Sequence, residues 1–163
     1  MSIDELGSIG EFIASIGVIV SLVYLALQTK ANTSAVKAQT RSSLTDQVLG
    51  IQSQMFQSDA YRIAFQKSVA NVELNSLDQD ILRREALLFF KHMENAQFQF
   101  DSGLYDQKEY EAQRGVWKNR FNSHGFWIEA WDQFGPTLSP NLVSSVQPIV
   151  DEARKGSDSD GGV

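Results

Sequence analysis

Hydrophobic positions form one unbroken run near the start of the chain, at residues 12–27, FIASIGVIVSLVYLAL. The run holds no charge, no amide side chain and no proline, and it is apolar on all sides. A core helix of a soluble domain would instead show an apolar stripe opposite a polar face. Counted from Ile9, the segment is about 28 Å long as a helix, close to the roughly 30 Å of hydrocarbon in a bilayer. The pattern therefore predicts a transmembrane helix over residues 9–28.

The charges on either side of this run predict its orientation. Three acidic residues and no Lys or Arg precede it, and three basic residues follow it before the next acid: Asp4, Glu5 and Glu11, then Lys30, Lys37 and Arg41. A cleaved signal peptide would begin with a basic segment. Because the flank rich in Lys and Arg stays in the cytoplasm, we expect residues 1–8 outside the membrane and the body of the protein inside.

Steps that alternate between four and three from Gly10 to Ser42 give ten positions along one face of the same helix, and small residues occupy eight of them, with Tyr24 and Gln28 at the other two. The average step of 3.5 residues keeps one face turned toward a partner helix, and small side chains let helices approach closely in lipid. Composition is the competing explanation, because Gly is common in membrane helices and residues 31–45 are rich in Ala, Ser and Thr. The pattern predicts a parallel homo-oligomer, or docking on another membrane helix, through a small-residue seam: Gly10, Ala14, Gly17, Ser21, Ala31, Ala35, Ala38 and Ser42.

The anchor is expected to continue as a juxtamembrane helix over residues 29–56, since no Gly or Pro interrupts residues 28–49. From Leu44 the apolar positions become bulky, with Val48, Ile51 and Met55 following at helical spacing. The helix should begin to pack against the body of the protein there.

Beyond residue 57 the apolar positions keep helical spacing and no strand pattern appears. Along the central helix they predict one core face: Leu82, Ala86, Phe89, Met93, Ala96 and Phe100. The signals predict a helical domain over residues 57–155 and a disordered polar tail over 156–163, GSDSDGGV. A capping box of Ser76 with Gln79 should start the central helix, and Pro148 should kink or split the last one. The predicted fold class is all-α: one transmembrane helix, a long polar helix, and a compact cytoplasmic bundle.

Composition narrows the functional classes. The formal net charge of −6 argues against nucleic acid, which prefers a basic face. The chain has no cysteine, which excludes disulfides and Cys-ligated metal sites. Glu85 and Glu94 lie seven and two positions from His92, and neither spacing stacks metal ligands on one helical turn. No catalytic motif is present, so we expect neither enzymatic activity nor a metal or other cofactor.

Aromatic residues concentrate in the second half of the chain, with ten of the 17 between Phe98 and Phe134. Core packing explains most of them, because a small helical body needs bulky side chains. The alternative is an aromatic face that binds an apolar ligand or lies on the bilayer. Trp127 and Trp131, one turn apart on a short helix, are the candidates for such a face.

Glu11 is the one charge close to the apolar run. If several anchors form a ring, Glu11 and Ser15 would lie along one flank and could line a pore or vestibule that favours cations. The simpler interpretation is a Glu resting at the membrane interface.

Several stretches together resemble a recurrent group of uncharacterised bacterial membrane-anchored helical proteins. They are the acidic N-terminus, the anchor IGEFIASIGVIVSLVYLALQ, its continuation T-K-x-N-T-x-A-x-x-A-Q, then S-G-L-Y, and a late F-x-P-T-L-S-P. The resemblance implies a bacterial origin and an inner-membrane location. It implies no activity and no site residues.

The leading hypothesis is a membrane-anchored oligomeric scaffold without catalytic activity, whose cytoplasmic body binds a protein partner or its own copies. Its alternative is a homo-oligomeric channel or pore-forming assembly. The expected partners are the lipid bilayer, further copies of the chain, and a protein in the membrane or cytoplasm.

Overall fold

The computed structural model describes residues 3–70 and 72–160, and every regular element in them is helical. The all-helical expectation is therefore confirmed. The helices, with a 3₁₀ turn at Gly135–Thr137 between the last two, are α1 Ile3–Gln57, α2 Asp59–Val69, α3 Ser76–Asp101, α4 Gln107–Ser123, α5 Phe126–Phe134 and α6 Pro140–Asp160.

The chain forms two compact units, Met1–Gln39 and Thr40–Val163. In the described residues of the first unit the backbone is helical throughout, as part of α1. Helix α1 is also the one described helix that is long and apolar enough to cross a membrane, judged by length and composition. Its most apolar 18-residue window has a mean hydropathy of 2.1, and none of that window is buried.

The second unit is built around α3. The face predicted from the sequence is the buried one, with Leu82, Ala86, Phe89 and Met93 almost inaccessible to solvent. Helices α2, α4, α5 and α6 all pack against α3. Leu44, near the start of this unit, belongs to the same hydrophobic core. The expected packing of the bulky α1 positions is therefore observed at Leu44.

Side-chain caps fix where three of the helices begin. The Ser58 hydroxyl accepts from the Tyr61 backbone N–H and starts α2, and Asp106 caps α4 by accepting from Lys108. The capping box of α3 differs from the predicted one by one residue, since Asn75 is the cap and Asp78 its partner. Ser76 is instead the first helical residue, because the Asn75 amide oxygen takes the free N–H of Asp78 at 2.8 Å.

Helix α6 differs from expectation at two points. Pro148 lies inside it without splitting it, because Leu142, Val146 and Val150 on either side of the proline are completely buried. The helical backbone also continues to Asp160, five residues past the predicted end of the domain at residue 155. The start of the expected disordered tail is therefore helical, and residues 161–163 lie outside the described residues.

Candidate functional site: a buried ion pair beneath an apolar cleft

A cleft of ≈ 460 Å³ opens in the second unit, between the end of α1 and helices α2, α4 and α5. This volume lies within the range of roughly 300–1,000 Å³ that is usual for small-molecule sites. Its walls are mostly apolar and include Met55, Phe56, Phe65, Val116 and Trp127. We refer to this feature as the α1–α4 cleft.

An ion pair between a buried carboxylate, that of Glu85, and the half-buried guanidinium of Arg120 lies at the base of the cleft. The distance from Oε1 of Glu85, on α3, to Nη1 of Arg120, on α4, is 3.7 Å. The Glu85 side chain is only 4% exposed. The Arg120 guanidinium stacks over the ring of Phe89 at 4.0 Å and that of Trp127 at 5.0 Å. Both contacts are cation–π interactions, which offset part of the cost of burying the cation. The guanidinium is therefore fixed by one charge and two aromatic faces.

Burial sets the acid–base properties of this cluster. It raises the pKa of Glu85, while hydrogen bonding with Tyr61 and the charge of Arg120 partly oppose the shift. It likewise raises the pKa of Tyr61, with the Glu85 charge adding to the effect. It lowers the pKa of Arg120, whose charged form Glu85 favours. The interactions among these three groups thus offset part of the desolvation cost that burial imposes on them.

Four buried polar atoms have no hydrogen-bond partner among the described residues: Oε2 of Glu85, both ring nitrogens of His92, and Nε1 of Trp117. Burial, together with the charge of Arg120, lowers the pKa of His92 to about 4. His92 is therefore neutral at physiological pH. Of these residues, Glu85 also lines the α1–α4 cleft, although its Oε2 atom is closed to solvent.

The described residues contain no group of three or more His, Cys, Asp or Glu side chains placed to hold a metal ion. The cleft lining includes one hydroxyl beside a histidine, Ser123 next to His124. The Ser123 hydroxyl, however, donates to the Arg120 backbone carbonyl at 2.8 Å.

Trp127 and Trp131 do not form an exposed face. They are 2% and 3% exposed, and the indole N–H of Trp131 donates to Gln147 at 3.0 Å. Both pack edge-on against Phe90 in the hydrophobic core. The core-packing interpretation therefore fits these two residues, and a bilayer-facing surface through them does not, because each indole is covered by other rings. Trp127 alone also reaches the cleft wall.

The seam residues Gly10, Ala14, Gly17, Ser21, Ala31, Ala35, Ala38 and Ser42 are all exposed on α1. A Cβ atom added at Gly10 or Gly17 would meet nothing within 4 Å. Glu11 and Ser15 are exposed as well, and the Ser15 hydroxyl donates to the Phe12 carbonyl at 2.7 Å. The seam and the vestibule both remain predictions about an assembly of chains.

Glu85 and Arg120 were not predicted as site residues. A signal for Glu85 was present, because it falls three residues after Leu82 and four before Phe89, on the apolar face of α3. A charged side chain on a buried helix face must be paired or hydrogen-bonded, because burying it unpaired costs free energy. Nothing comparable marked Arg120, whose partner lies 35 residues earlier in the chain.

Comparison of the chain with models of protein families, with curated proteins and with solved structures gave no match. The resemblance to bacterial membrane-anchored helical proteins stays a sequence-based expectation.

Proposed function

We propose that the protein is a single-pass membrane protein of the bacterial inner membrane, anchored by residues 9–28. Its helical domain acts in the cytoplasm as a binding module without catalytic activity, and copies of the chain associate through the small-residue seam. The exposed apolar surface of α1 carries this proposal.

That surface is too large and too continuous for a helix in water. The large apolar side chains from Ile9 to Leu27 are 46% to 66% exposed. Soluble monomers rarely expose a contiguous apolar patch of more than a few hundred Å², and larger ones mark membrane or protein interaction sites. A core helix is disfavoured because it would be mostly buried. Lipid would cover the whole circumference of the helix at once.

Two of the three hydroxyl groups within the run are paired by the helix itself. Ser15 and Ser21 donate to the carbonyl oxygens of Phe12 and Gly17, at 2.7 and 2.8 Å. Lipid provides no hydrogen-bond partner, so a spanning segment must pair such groups internally. This pairing supports the membrane placement.

Two features support a binding role for the helical domain. The α1–α4 cleft has mostly apolar walls. Two of the side chains that line it are also well exposed, Phe56 at 80% and Val116 at 46%. Such side chains are ordinary singly, but those that line the cleft give a partner or ligand a place to dock.

Membrane extraction tests the anchor. We expect the full-length chain, expressed in a bacterium, to float with membranes in a sucrose gradient and to resist alkaline carbonate. Paired substitution of Ile19→Arg and Val20→Arg should move most of it out of the floating fraction, because each Arg at the bilayer centre costs about 2.5 to 3.5 kcal/mol.

Leu49→Arg is the matched control, since Leu49 is a similarly exposed residue of α1 outside the apolar run. It should leave flotation unchanged. Full-length protein that stays in the soluble fraction, or that carbonate removes, contradicts the anchor.

A further inference from the structure

The last part of α1 carries two stripes of apolar side chains, and the second unit covers only one of them. Leu44 is buried in the hydrophobic core, and Ile51 and Met55 on the same side are half-buried. The other stripe contains Leu49 and Phe56, which are 56% and 80% exposed. Leu49 comes five residues after Leu44, which places it about 140° further round the helix. Two large apolar side chains on one side of α1 therefore lie open to solvent.

The exposed stripe has the spacing of a coiled coil. Leu49 and Phe56 are seven residues apart, which is the length of a heptad. Continued from Ser42, the steps of three and four that define the small-residue seam reach Thr45, Leu49, Gln52 and Phe56. In heptad terms Leu49 and Phe56 are a positions, whereas the d positions, Thr45 and Gln52, are polar. A parallel copy that packs on the seam would thus meet these two apolar side chains next.

The charges beside the stripe are complementary between parallel copies. With Leu49 as an a position, Arg41 is a g position and Asp46 is the e position of the following heptad. In a parallel coiled coil, side chains at these two positions of neighbouring helices form interhelical salt bridges. Among the described residues, the one polar contact of the Asp46 side chain is with the Ser42 hydroxyl, at 3.5 Å. A second copy would give each Asp46 carboxylate a cationic partner.

The Arg41 side chain is accessible for this contact. Its guanidinium pairs with Glu109 on α4 at 3.0 Å, yet the side chain is 69% exposed. A guanidinium has five N–H donors and can therefore serve two carboxylates. An antiparallel pair would lose the complementarity, because g positions would then lie beside g positions. The charges favour the parallel orientation, which copies anchored in one membrane must also adopt.

We propose that residues 42–56 of α1 pack in parallel and in register against the same residues of a second copy of the chain. Leu49 and Phe56 of the two copies form the apolar contact. Arg41 of each copy pairs with Asp46 of the other. This inference rests on the proposed function, because it extends the association through the seam to the part of α1 outside the membrane.

Cysteine cross-linking tests the contact on the full-length chain in membranes, because the chain has no cysteine of its own. Leu49→Cys should form disulfide-linked dimers on addition of copper–phenanthroline, since equivalent a positions lie side by side in a parallel pair. Gln54→Cys is the matched control, because Gln54 is also exposed but is an f position, on the side of α1 away from the stripe. We expect several-fold more dimer from Leu49→Cys than from Gln54→Cys.

Charge reversal tests the ion pairs between copies. Arg41→Glu and Asp46→Lys each place like charges opposite one another when the variant pairs with itself. Mixing the two variants restores opposite charges at both contacts. With Leu49→Cys in each variant and two different tags, mixed dimers should exceed either matched dimer several-fold. An ion pair within one chain, such as Arg41 with Glu109, would give no such preference.

Two results would overturn this inference alone, provided that the natural chain has the mass of more than one copy in detergent. They are equal cross-linking of Leu49→Cys and Gln54→Cys, and mixed dimers no more abundant than matched ones. A natural chain with the mass of a single copy would overturn the proposed association through the seam as well. The stripe residues are exposed, so the substitutions at positions 49 and 54 leave the core of the domain unchanged.

Discussion

His92 is buried in the core without a hydrogen-bond partner for either ring nitrogen among the described residues. Burial and the nearby charge of Arg120 hold its pKa at about 4, below the ordinary value of 6.5. The unfolded chain therefore binds a proton at this residue more readily than the folded chain does. The contribution of neutral His92 to the free energy of unfolding is fully present above the pKa of this residue in the unfolded chain. It is lost as the pH falls from about 6.5 toward about 4.

We predict that His92 alone removes roughly 2 kcal/mol from the free energy of unfolding between about pH 7.5 and about pH 5. Glu85 acts in the opposite direction, because its pKa is raised in the folded state. The quantity that isolates His92 is thus the difference between the natural chain and His92→Leu. It is measured by urea unfolding of the full-length protein in detergent at both pH values.

His124→Gln serves as the control, since His124 is the second of the two histidines and lies outside the core. The free energy of unfolding of this variant should decrease on acidification by as much as that of the natural chain. A His92→Leu variant whose stability follows the natural chain at both pH values would show that His92 is not the buried base described here.

At the scale of single residues, the sequence predicted the core positions of α3 well. Leu82, Ala86, Phe89 and Met93 follow helical spacing, and burial of that stripe is the main stabilising contribution of an amphipathic helix. The role of Glu85 was missed, because its partners Tyr61 and Arg120 come from two other helices. Periodicity reports which face of a helix is covered and does not report which residues cover it.

Helix α1 combines two kinds of surface along one continuous element. Over residues 12–27 it is apolar all round, whereas Leu44, in the second unit, is buried in the hydrophobic core. The small-residue seam runs along the exposed part. Gly17 is informative there, because a side chain added at this position meets nothing within its own chain.

We predict that Gly17→Leu reduces self-association of the full-length protein. A bulky side chain on the seam would hold two helix backbones apart and remove their close packing, without disturbing the single chain. The measurement is the protein mass in detergent by light scattering, which should fall toward that of one chain.

Ala26→Leu is the matched control, because Ala26 lies nine residues further along α1, which places it on the opposite side of the helix. It should leave the mass unchanged. An equal effect of both substitutions, or of neither, contradicts the seam.

Among the elements, Ser58 caps the start of α2, and Ser102 and Gly135 are the cap residues at the ends of α3 and α5. Asn75 and Ser76 are neighbouring residues that could each cap the start of α3, and Asn75 is the cap in the structure. Both can accept the same type of backbone hydrogen bond, so the pattern alone did not decide between them. Pro148 is tolerated within α6 because burial of the surrounding apolar residues outweighs the loss of one backbone hydrogen bond.

For the molecule as a whole, the sequence marked the apolar run of α1 more clearly than it marked the site. Hydropathy and charge are local properties, so they can be seen directly in the sequence. The α1–α4 cleft arises where four helices meet a fifth, and its key residues, Tyr61, Glu85 and Arg120, lie far apart in the chain. Such a site depends on tertiary packing and leaves only weak traces in the sequence.

Single-cysteine labelling tests the proposed membrane topology most directly, because the chain has no cysteine of its own. Ser8→Cys, Ile19→Cys and Ser53→Cys place one thiol before, within and after the proposed span. Spheroplasts are treated with a membrane-impermeant maleimide, before and after permeabilisation. We predict labelling of Ser8→Cys in intact spheroplasts, of Ser53→Cys only after permeabilisation, and of Ile19→Cys in neither case. Equal labelling of all three in a soluble, membrane-free fraction would contradict it.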